Sequence, residues 1–230
     1  MKTKLLTISA ILLFSTLALQ AQVGFGILGG VNFQNINGKE SNGDKLENGL
    51  LVGFHAGVNA NIPLVEDFYF QPGLLFSVKG ARNNFFNMPV KASGNDYNTT
   101  TRISYIEVPL NFLYRPQVGN GHVLLGFGPY VAFGIGGSQK FKSGTLSYEQ
   151  KIAFKNEISE SEFFDLEKAY FRRFDAGANI FFGYEIPMGV FLQLNAQLGL
   201  LKINPVHSWD DGDETTYKNT GYGLSVGYRF

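Results

Sequence analysis

The stretch that decides the fold is Gly221-Tyr222-Gly223-Leu224-Ser225-Val226-Gly227-Tyr228-Arg229-Phe230. Large apolar residues alternate in it with small or polar ones, and successive side chains of a β-strand point to opposite faces. One face therefore carries Tyr222, Leu224, Val226, Tyr228 and Phe230. Strands of transmembrane barrels show this pattern, with apolar residues towards lipid and small or polar residues towards the lumen. The stretch predicts a lipid-facing strand.

Seven further segments alternate in the same way. With the terminal one, the eight segments are 23–34, 50–64, 68–82, 102–116, 122–137, 171–187, 190–204 and 219–230. An even number of strands returns the chain to the side on which it began, as in single-chain barrels with periplasmic termini. We therefore expect an all-β fold, an eight-stranded antiparallel up-and-down transmembrane β-barrel.

The connections between these segments alternate in length. Residues 65–67, 117–121 and 188–189 are short enough for tight hairpin turns. Residues 35–49, 83–101, 138–170 and 205–218 form long polar stretches. Short periplasmic turns and long extracellular loops are typical of outer-membrane barrels. A soluble lipocalin-like barrel also has eight strands, but it directs its apolar face inward, and the Gly, Asn and Gln of the polar faces favour the membrane barrel.

Composition restricts the class of protein further. Glycine accounts for 28 residues, phenylalanine for 22 and tyrosine for 11, which favours many short strands. The formal net charge is zero, so no nucleic-acid partner is predicted. The chain has no cysteine, which excludes a disulfide and a cysteine-based metal site.

The first residues have the features of a secretory signal peptide. Met1 to Lys4 is basic, an apolar run follows, and small residues near Ala21 suit cleavage. We assign residues 1–21 to the signal peptide and 22–230 to the barrel domain. The alternative, a single membrane anchor, needs about 20 apolar residues. The protein is expected in the outer membrane as an integral protein, after Sec-type export, in contact with outer-membrane lipid.

Two internal segments and the terminal Gly-Tyr-Arg-Phe resemble a known family. Residues 104–114 read SYIEVPLNFLY and residues 174–185 read FDAGANIFFGYE. These motifs are similar to those of the PorT-type outer-membrane β-barrel family of the Bacteroidota, although Phe182 stands where the family often has a small residue. The resemblance implies a barrel, and implies that Tyr228 and Phe230 form part of a signal read by the barrel-assembly machinery. The namesake's link to type IX secretion is not carried over.

Charged residues on the inward faces form the candidate functional set. In the predicted register, a polar network in the lumen contains His55, Lys79, Glu107, Arg115, Arg173, Asp175, Glu185 and Arg229. An eight-stranded barrel is only wide enough for its own side chains, and buried charges must be paired. These residues therefore predict a polar plug. The alternative is a narrow ion- or solute-conducting porin lined by Glu107 and Arg115.

A lipid-modifying enzyme is a second alternative. His207-Ser208 and Ser225 are the only candidates for a nucleophile and a base, and neither belongs to a recognisable catalytic signature. Gly24-Phe-Gly26-Ile-Leu-Gly29 matches a dinucleotide pattern, but a strand and not a helix is expected after it. His55, His122 and His207 lie in three separate regions. No catalytic residue, cofactor or metal ion is therefore predicted.

The third long connection has helical features of its own. Ser159 and Glu162 have capping-box spacing, and Phe163, Leu166 and Tyr170 follow at helical intervals. We expect either a short amphipathic helix or an extension of the sixth strand above the membrane. Through such loops the protein is expected to have a structural or adhesive role, or to serve an envelope or secretion machine through a protein partner.

Overall fold

The computed structural model describes residues 23–40, 43–84, 97–209 and 214–230. The predicted signal peptide and the acidic stretch 210–213 lie outside these ranges. Eight long strands dominate the described part of the chain. They are β1 (Gly24–Lys39), β2 (Leu51–Val65), β3 (Phe68–Asn84), β4 (Tyr97–Tyr114), β5 (Gly121–Ser143), β6 (Phe174–Glu185), β7 (Val190–Gly199) and β8 (Thr216–Arg229).

These eight strands pair in a closed ring. Each strand is antiparallel to the next along the chain, from β1 with β2 to β7 with β8. The ring closes where β8 pairs with β1, with Gly29 opposite Val226. Closure removes the open sheet edges, so the backbone hydrogen bonds are satisfied within the wall. The predicted all-β, mostly antiparallel class is confirmed.

Three tight turns lie at one rim, which we call the turn end. They follow β2, β4 and β6, and each contains a residue with positive φ: Asp67 (62°), Gly119 (64°) and Gly189 (83°). A strand pair of Gln117–Val118 with the start of β5 tightens the second turn. The opposite rim carries the long connections, and we call it the loop end.

The loop end contains more regular structure than the sequence predicts. The polar composition of residues 138–170 predicts a loop, but β5 continues to Ser143 and pairs with Leu146–Phe154. Lys168–Phe171 then adds a parallel strand to Leu146–Phe154, and Asn48–Gly49 pairs with β3. The hydrogen-bond ladders therefore extend beyond the apolar pattern from which the strands were predicted.

A second short pairing ties two of the long connections together. Glu157–Ile158 runs parallel to Val206–His207. A helix of one turn, Glu160–Phe163, follows Glu157–Ile158 and precedes Lys168–Phe171 in the chain. At its start, Glu162 Oε2 accepts a hydrogen bond of 3.1 Å from the Ser159 amide. The predicted helix is confirmed for one turn only, because it ends at Phe163, before Leu166 and Tyr170. Lys168–Phe171 is extended, but it pairs with Leu146–Phe154 instead of continuing into β6. We use the name loop platform for five short elements at the loop end: Leu146–Phe154, Glu157–Ile158, Glu160–Phe163, Lys168–Phe171 and Val206–His207.

The strand predicted over residues 171–187 is interrupted near its start. Residues 172 and 173 form a bend, and β6 begins at Phe174. The alternation of side chains does not continue through a bend, so Arg173 is not carried into the lumen with Asp175. Arg173 is exposed, and its guanidinium lies 5.1 Å from the ring centre of Phe133 and 5.0 Å from that of Phe154. Its predicted lumen position is therefore corrected to the outer surface.

The outer wall of the ring is apolar and aromatic. Exposed side chains include Phe54, Phe127, Ile180, Leu194 and Val226. Rings contact one another across strands, as in the pairs Phe33–Tyr222, Phe68–Tyr114 and Phe133–Phe174. Within the described residues, no helix is both long and apolar enough to cross a bilayer.

Candidate functional site

The first cluster of charges in the lumen lies towards the loop end. Lys79 Nζ is 2.7 Å from Glu107 Oε2 and 3.3 Å from Asp175 Oδ2, and the side chains of Lys79 and Asp175 are fully buried. These three residues come from β3, β4 and β6, so the cluster ties together three strands. With two carboxylates and one ammonium, it carries a formal charge of −1.

Neighbouring polar and aromatic side chains complete this cluster. Lys79 Nζ lies 4.0 Å from the ring centre of Tyr130, and the Tyr130 hydroxyl donates to Asp175 Oδ2 at 3.2 Å. Asn219 Nδ2 donates to the same carboxylate oxygen at 2.9 Å, and Gln197 Nε2 donates to Glu107 Oε1 at 2.7 Å. Buried charges need such partners because they have lost those that water supplied.

The second cluster lies at the turn end and has the opposite composition. Glu185 accepts from Arg115 Nη2 at 2.5 Å and from Arg229 Nε at 2.7 Å. Two guanidinium groups and one carboxylate give a formal charge of +1. The Arg115 side chain is 18% exposed, so this cluster is partly open to solvent.

Between the two clusters, histidine and amide side chains cross-link the strands. His55 Nδ1 lies 2.5 Å from Asn32 Oδ1, and His55 Nε2 lies 2.7 Å from Ser225 Oγ. Because Asn32 presents a carbonyl oxygen, Nδ1 donates and Nε2 accepts from the serine hydroxyl. Asn195 Nδ2 donates to Ser225 Oγ at 2.6 Å. Gly30 leaves room for the ring, since a Cβ there would lie 2.8 Å from His55 Cε1.

The amide layer surrounds a small polar cavity of about 90 Å³. Two buried carbonyl oxygens of its lining residues, Gln34 Oε1 and Asn179 Oδ1, have no hydrogen-bond partner among the described atoms. A polar cavity needs only about 10–15 Å³ to hold a water molecule. The space is therefore suited to several water molecules that donate to these oxygens.

Apolar clusters lie on both sides of this cavity. Towards the turn end, Leu113, Leu124, Phe181 and Phe191 form a buried cluster. Towards the loop end, residues of the barrel pack against residues of the loop platform and of the connection after β7. This second cluster contains Ile36, Ala81, Ile103, Tyr105, Tyr130, Ala132, Ile152, Ala169, Phe171 and Ile203. The polar residues around the cavity therefore lie between two apolar clusters.

The structure brings the predicted lumen residues together in two groups rather than one network. Lys79, Glu107 and Asp175 meet at the loop end, and Arg115, Glu185 and Arg229 meet at the turn end. His55 lies in the amide layer between them, and Arg173 lies outside. Sequence reasoning missed the contact of His55 with Asn32 and Ser225, although the inward register of all three strands was available.

The surface of the loop platform carries a cluster of aromatic rings. The rings of His207 and Trp209 stack at 4.7 Å, and the Phe163 ring meets them edge-on at 5.2 and 5.6 Å. Phe163 and Trp209 are exposed. The predicted pair His207-Ser208 is part of this surface, where the Ser208 amide donates to the Ile158 carbonyl. No three His, Asp or Glu side chains of the described ranges come together as metal ligands.

Comparison with known proteins agrees with this architecture. The family model described as "Outer membrane protein beta-barrel domain" matches residues 19–204. No curated protein sequence matches the chain.

Solved structures that match the chain are distant from it in sequence. The attachment invasion locus protein Ail of Yersinia pestis is 14% identical, with 90% of this chain and 99% of that chain covered and a TM-score of 0.37. Neisserial surface protein A is 10% identical, with 90% and 97% covered and a TM-score of 0.40. A major outer membrane protein of Thermus thermophilus is 12% identical, with 90% and 99% covered and a TM-score of 0.46.

Proposed function

The chain belongs to the outer membrane protein beta-barrel domain family, and from this premise we propose that it is an eight-stranded transmembrane barrel with a closed lumen that anchors its loop platform outside the cell. The role of such a protein is structural or adhesive, or accessory to an envelope or secretion machine. The more specific resemblance to the PorT-type family of the Bacteroidota is part of this proposal, without a link to type IX secretion.

One observation carries the proposal of a closed lumen. Two ionic clusters and two apolar layers lie in series along the barrel, and the cavity between them measures about 90 Å³. Ions need a continuous aqueous path to cross, and packed side chains leave none. The purified barrel in a planar bilayer is therefore expected to give no stable open level.

A narrow ion- or solute-conducting porin is the competing function, and the polar cavity is the observation that favours it. A reproducible single-channel level that Lys79→Met or Glu185→Gln alters would establish the porin and overturn the closed barrel. Gln139→Ala, at a partly buried residue near the end of β5, is a matched control that should leave the record unchanged.

The proposed orientation is testable on intact cells. Epitope tags inserted at Gly43 or Gly144, both at the loop end, should be labelled from outside. A Cβ at Gly43 would meet nothing within 4 Å, so there is open space beside this position. Tags at Asp67 or Gly189, in the turns, should be labelled only after the membrane is permeabilised. The reverse labelling pattern would invert the orientation.

The partner surface that we propose is the aromatic cluster of the loop platform. Exposed Phe163 and Trp209 support an envelope protein partner, because aromatic residues are enriched in interfaces. Crosslinking in native membranes should capture a protein with the wild-type chain and lose it with Phe163→Ser/Trp209→Ser. Leu146→Ser, at another exposed apolar residue of the platform, is the control.

For biogenesis, we propose that Tyr228 and Phe230 contact the barrel-assembly machinery. Their rings are exposed and meet edge-on at 5.0 Å. Deleting Phe230 should lower the amount assembled in cells, while refolding of the purified chain into lipid vesicles changes little. Equal effects in the two assays would mean that Phe230 is only one of the aromatic residues at the membrane interface and has no separate role in assembly.

A hydrolase or other lipid-modifying enzyme is a second candidate, which one observation favours. Ser225, His55 and Asn32 have the hydrogen-bond order of nucleophile, base and orienting group. Ser225 and His55 are buried in the closed lumen, so a substrate would have no route to them. Labelling by a fluorophosphonate that Ser225→Ala abolishes would establish the enzyme. Absence of labelling is expected, with the triad serving to cross-link strands.

A further inference from the structure

A groove on the outer surface lies at the loop end, beside the start of β6. It has a volume of about 430 Å³. Its lining consists of Asn156, Glu157, Arg172, Phe174, Leu201, Lys202 and Val206. Phe174, Leu201 and Val206 are exposed and apolar, whereas Arg172 and Lys202 are cationic. The groove therefore combines an apolar floor with a basic rim.

The charges at this groove are unbalanced. Among the residues that the structure describes, Arg172 and Lys202 line it and Glu157 is the one carboxylate of the lining. Arg173 follows Arg172 in the chain. In the part of the chain that the structure describes, none of these three cations has a carboxylate within 4.0 Å. Lys202 Nζ donates to the Thr215 carbonyl at 3.4 Å, a contact that does not neutralise its charge. The two cations of the rim therefore favour an anionic ligand.

The position of the groove restricts the source of that ligand. Phe174 continues the exposed apolar face of β6 through Ile180 and Phe182. The guanidinium of Arg173 rests on the rings of Phe133 and Phe154, an arrangement that holds a cation at the edge of an aromatic girdle. Aromatic rings and long cationic side chains occupy the headgroup level of a bilayer. The groove thus lies where acyl chains meet headgroups.

We propose that this groove binds a membrane lipid whose headgroup exposes a phosphate. The phosphate oxygens accept hydrogen bonds from the guanidinium of Arg172 and from Lys202 Nζ. The acyl chains lie along Phe174 and Leu201. Guanidinium groups suit phosphate because they present donors in a planar fork. Of the proposed function, this lipid-binding proposal depends only on insertion of the barrel into a membrane. The proposed orientation determines only which leaflet supplies the lipid.

The proposal is tested by native mass spectrometry of the folded barrel in detergent, with phosphatidic acid and phosphatidylcholine of identical acyl chains as probes. The choline group shields its phosphate, so the wild type should bind phosphatidic acid more tightly. Arg172→Gln/Lys202→Gln should lower this affinity by about tenfold for each cation removed. Lys151→Gln/Lys168→Gln, which removes two exposed cations from the loop platform, is the matched control and should change nothing.

Three results would overturn the proposal. The first is equal binding of the two lipids by the wild type, and the second is an equal loss of affinity in the test and control variants. The third is displacement of phosphatidic acid by an equal concentration of inorganic phosphate, which would make the ligand a soluble anion.

Further measurements separate the site from the fold. Heat-modifiable migration on gels verifies that each variant is folded. Leu201→Ser should lower the affinity for both lipids equally and leave the preference for phosphatidic acid intact. Loss of that preference would contradict the separate roles of the apolar floor and the basic rim. These assays measure lipid binding in detergent, which depends neither on whether the lumen conducts nor on the orientation of the barrel. A negative result would therefore count against the lipid site and not against the proposed function.

Discussion

The two ionic clusters of the lumen are opposite in composition and unequal in burial. At the loop end one ammonium, Lys79, lies between two carboxylates, and its side chain is 0% exposed. At the turn end one carboxylate, Glu185, lies between two guanidinium groups, of which Arg115 is 18% exposed. The comparison teaches that the same ion-pair chemistry has different consequences at different depths, because water can replace a lost partner only where it has access.

The largest effect is expected from Lys79→Met. The variant leaves Glu107 and Asp175 buried together without a cation, and breaking a buried pair in this way costs about 3–5 kcal/mol of unfolding free energy. Urea unfolding in lipid vesicles measures the loss. The exposed Lys140→Met is the control. A loss no larger than that of the control would mean that the loop-end cluster contributes nothing net.

An arginine placed on the lipid-facing side of the wall gives an unfolding free energy with which the effects at the two clusters can be compared. Leu194 is 61% exposed on the outer surface, whereas its neighbour Gln193 is buried in the lumen. Leu194→Arg should cost about 2–4 kcal/mol near the bilayer midplane. The effect of Gln193→Arg on the unfolding free energy should depend instead on the charges in the lumen. The loss should be larger when Lys79 is present than in the Lys79→Met background. If Leu194→Arg is harmless, the register of β7 in the membrane is reversed.

Glu185→Gln should have a smaller effect than Lys79→Met. It leaves Arg115 and Arg229 facing each other, but the partial exposure of Arg115 lets water and anions compensate, so the loss is about 1–3 kcal/mol. The same unfolding assay applies. Added salt should relieve the defect of Glu185→Gln more than that of Lys79→Met, because screening needs solvent access. Equal salt responses would contradict the difference in burial.

The smallest effect concerns the loop platform, outside both clusters. The Glu167 amide donates to Asp165 at 2.7 Å and, with the Tyr170 hydroxyl and the Lys168 amide, holds the pKa of Asp165 below its ordinary value. A lowered folded pKa adds stability above the unfolded pKa, and this stability is lost as the pH falls through the folded value. The NMR amide signals of Glu167 and Lys168 should shift in that acidic range. In Asp165→Asn they should not titrate.

Different parts of the fold were predictable to different degrees. The outward faces of β6, β7 and β8 follow from alternation alone, since each strand has a period of two residues whatever its partner. Arg173 shows the limit of that argument, because a bend at residues 172 and 173 ended the strand where the pattern continued. Leu146–Phe154 shows another limit, since it pairs with β5 inside a connection whose polar composition predicts a loop, although Leu146, Tyr148, Ile152 and Phe154 stand at alternate positions there.

The sequence by itself determined that this chain forms strands with one apolar and one polar face, and which charged residues face inward from β3, β4 and β8, because these properties are local. Only the tertiary structure decided which of those charges meet. Lys79 and Asp175 are 96 residues apart in the chain, and ring closure and strand tilt bring them to one level. The same closure sorted the charges into a negative cluster and a positive one, because height in the barrel depends on the register of every strand in between.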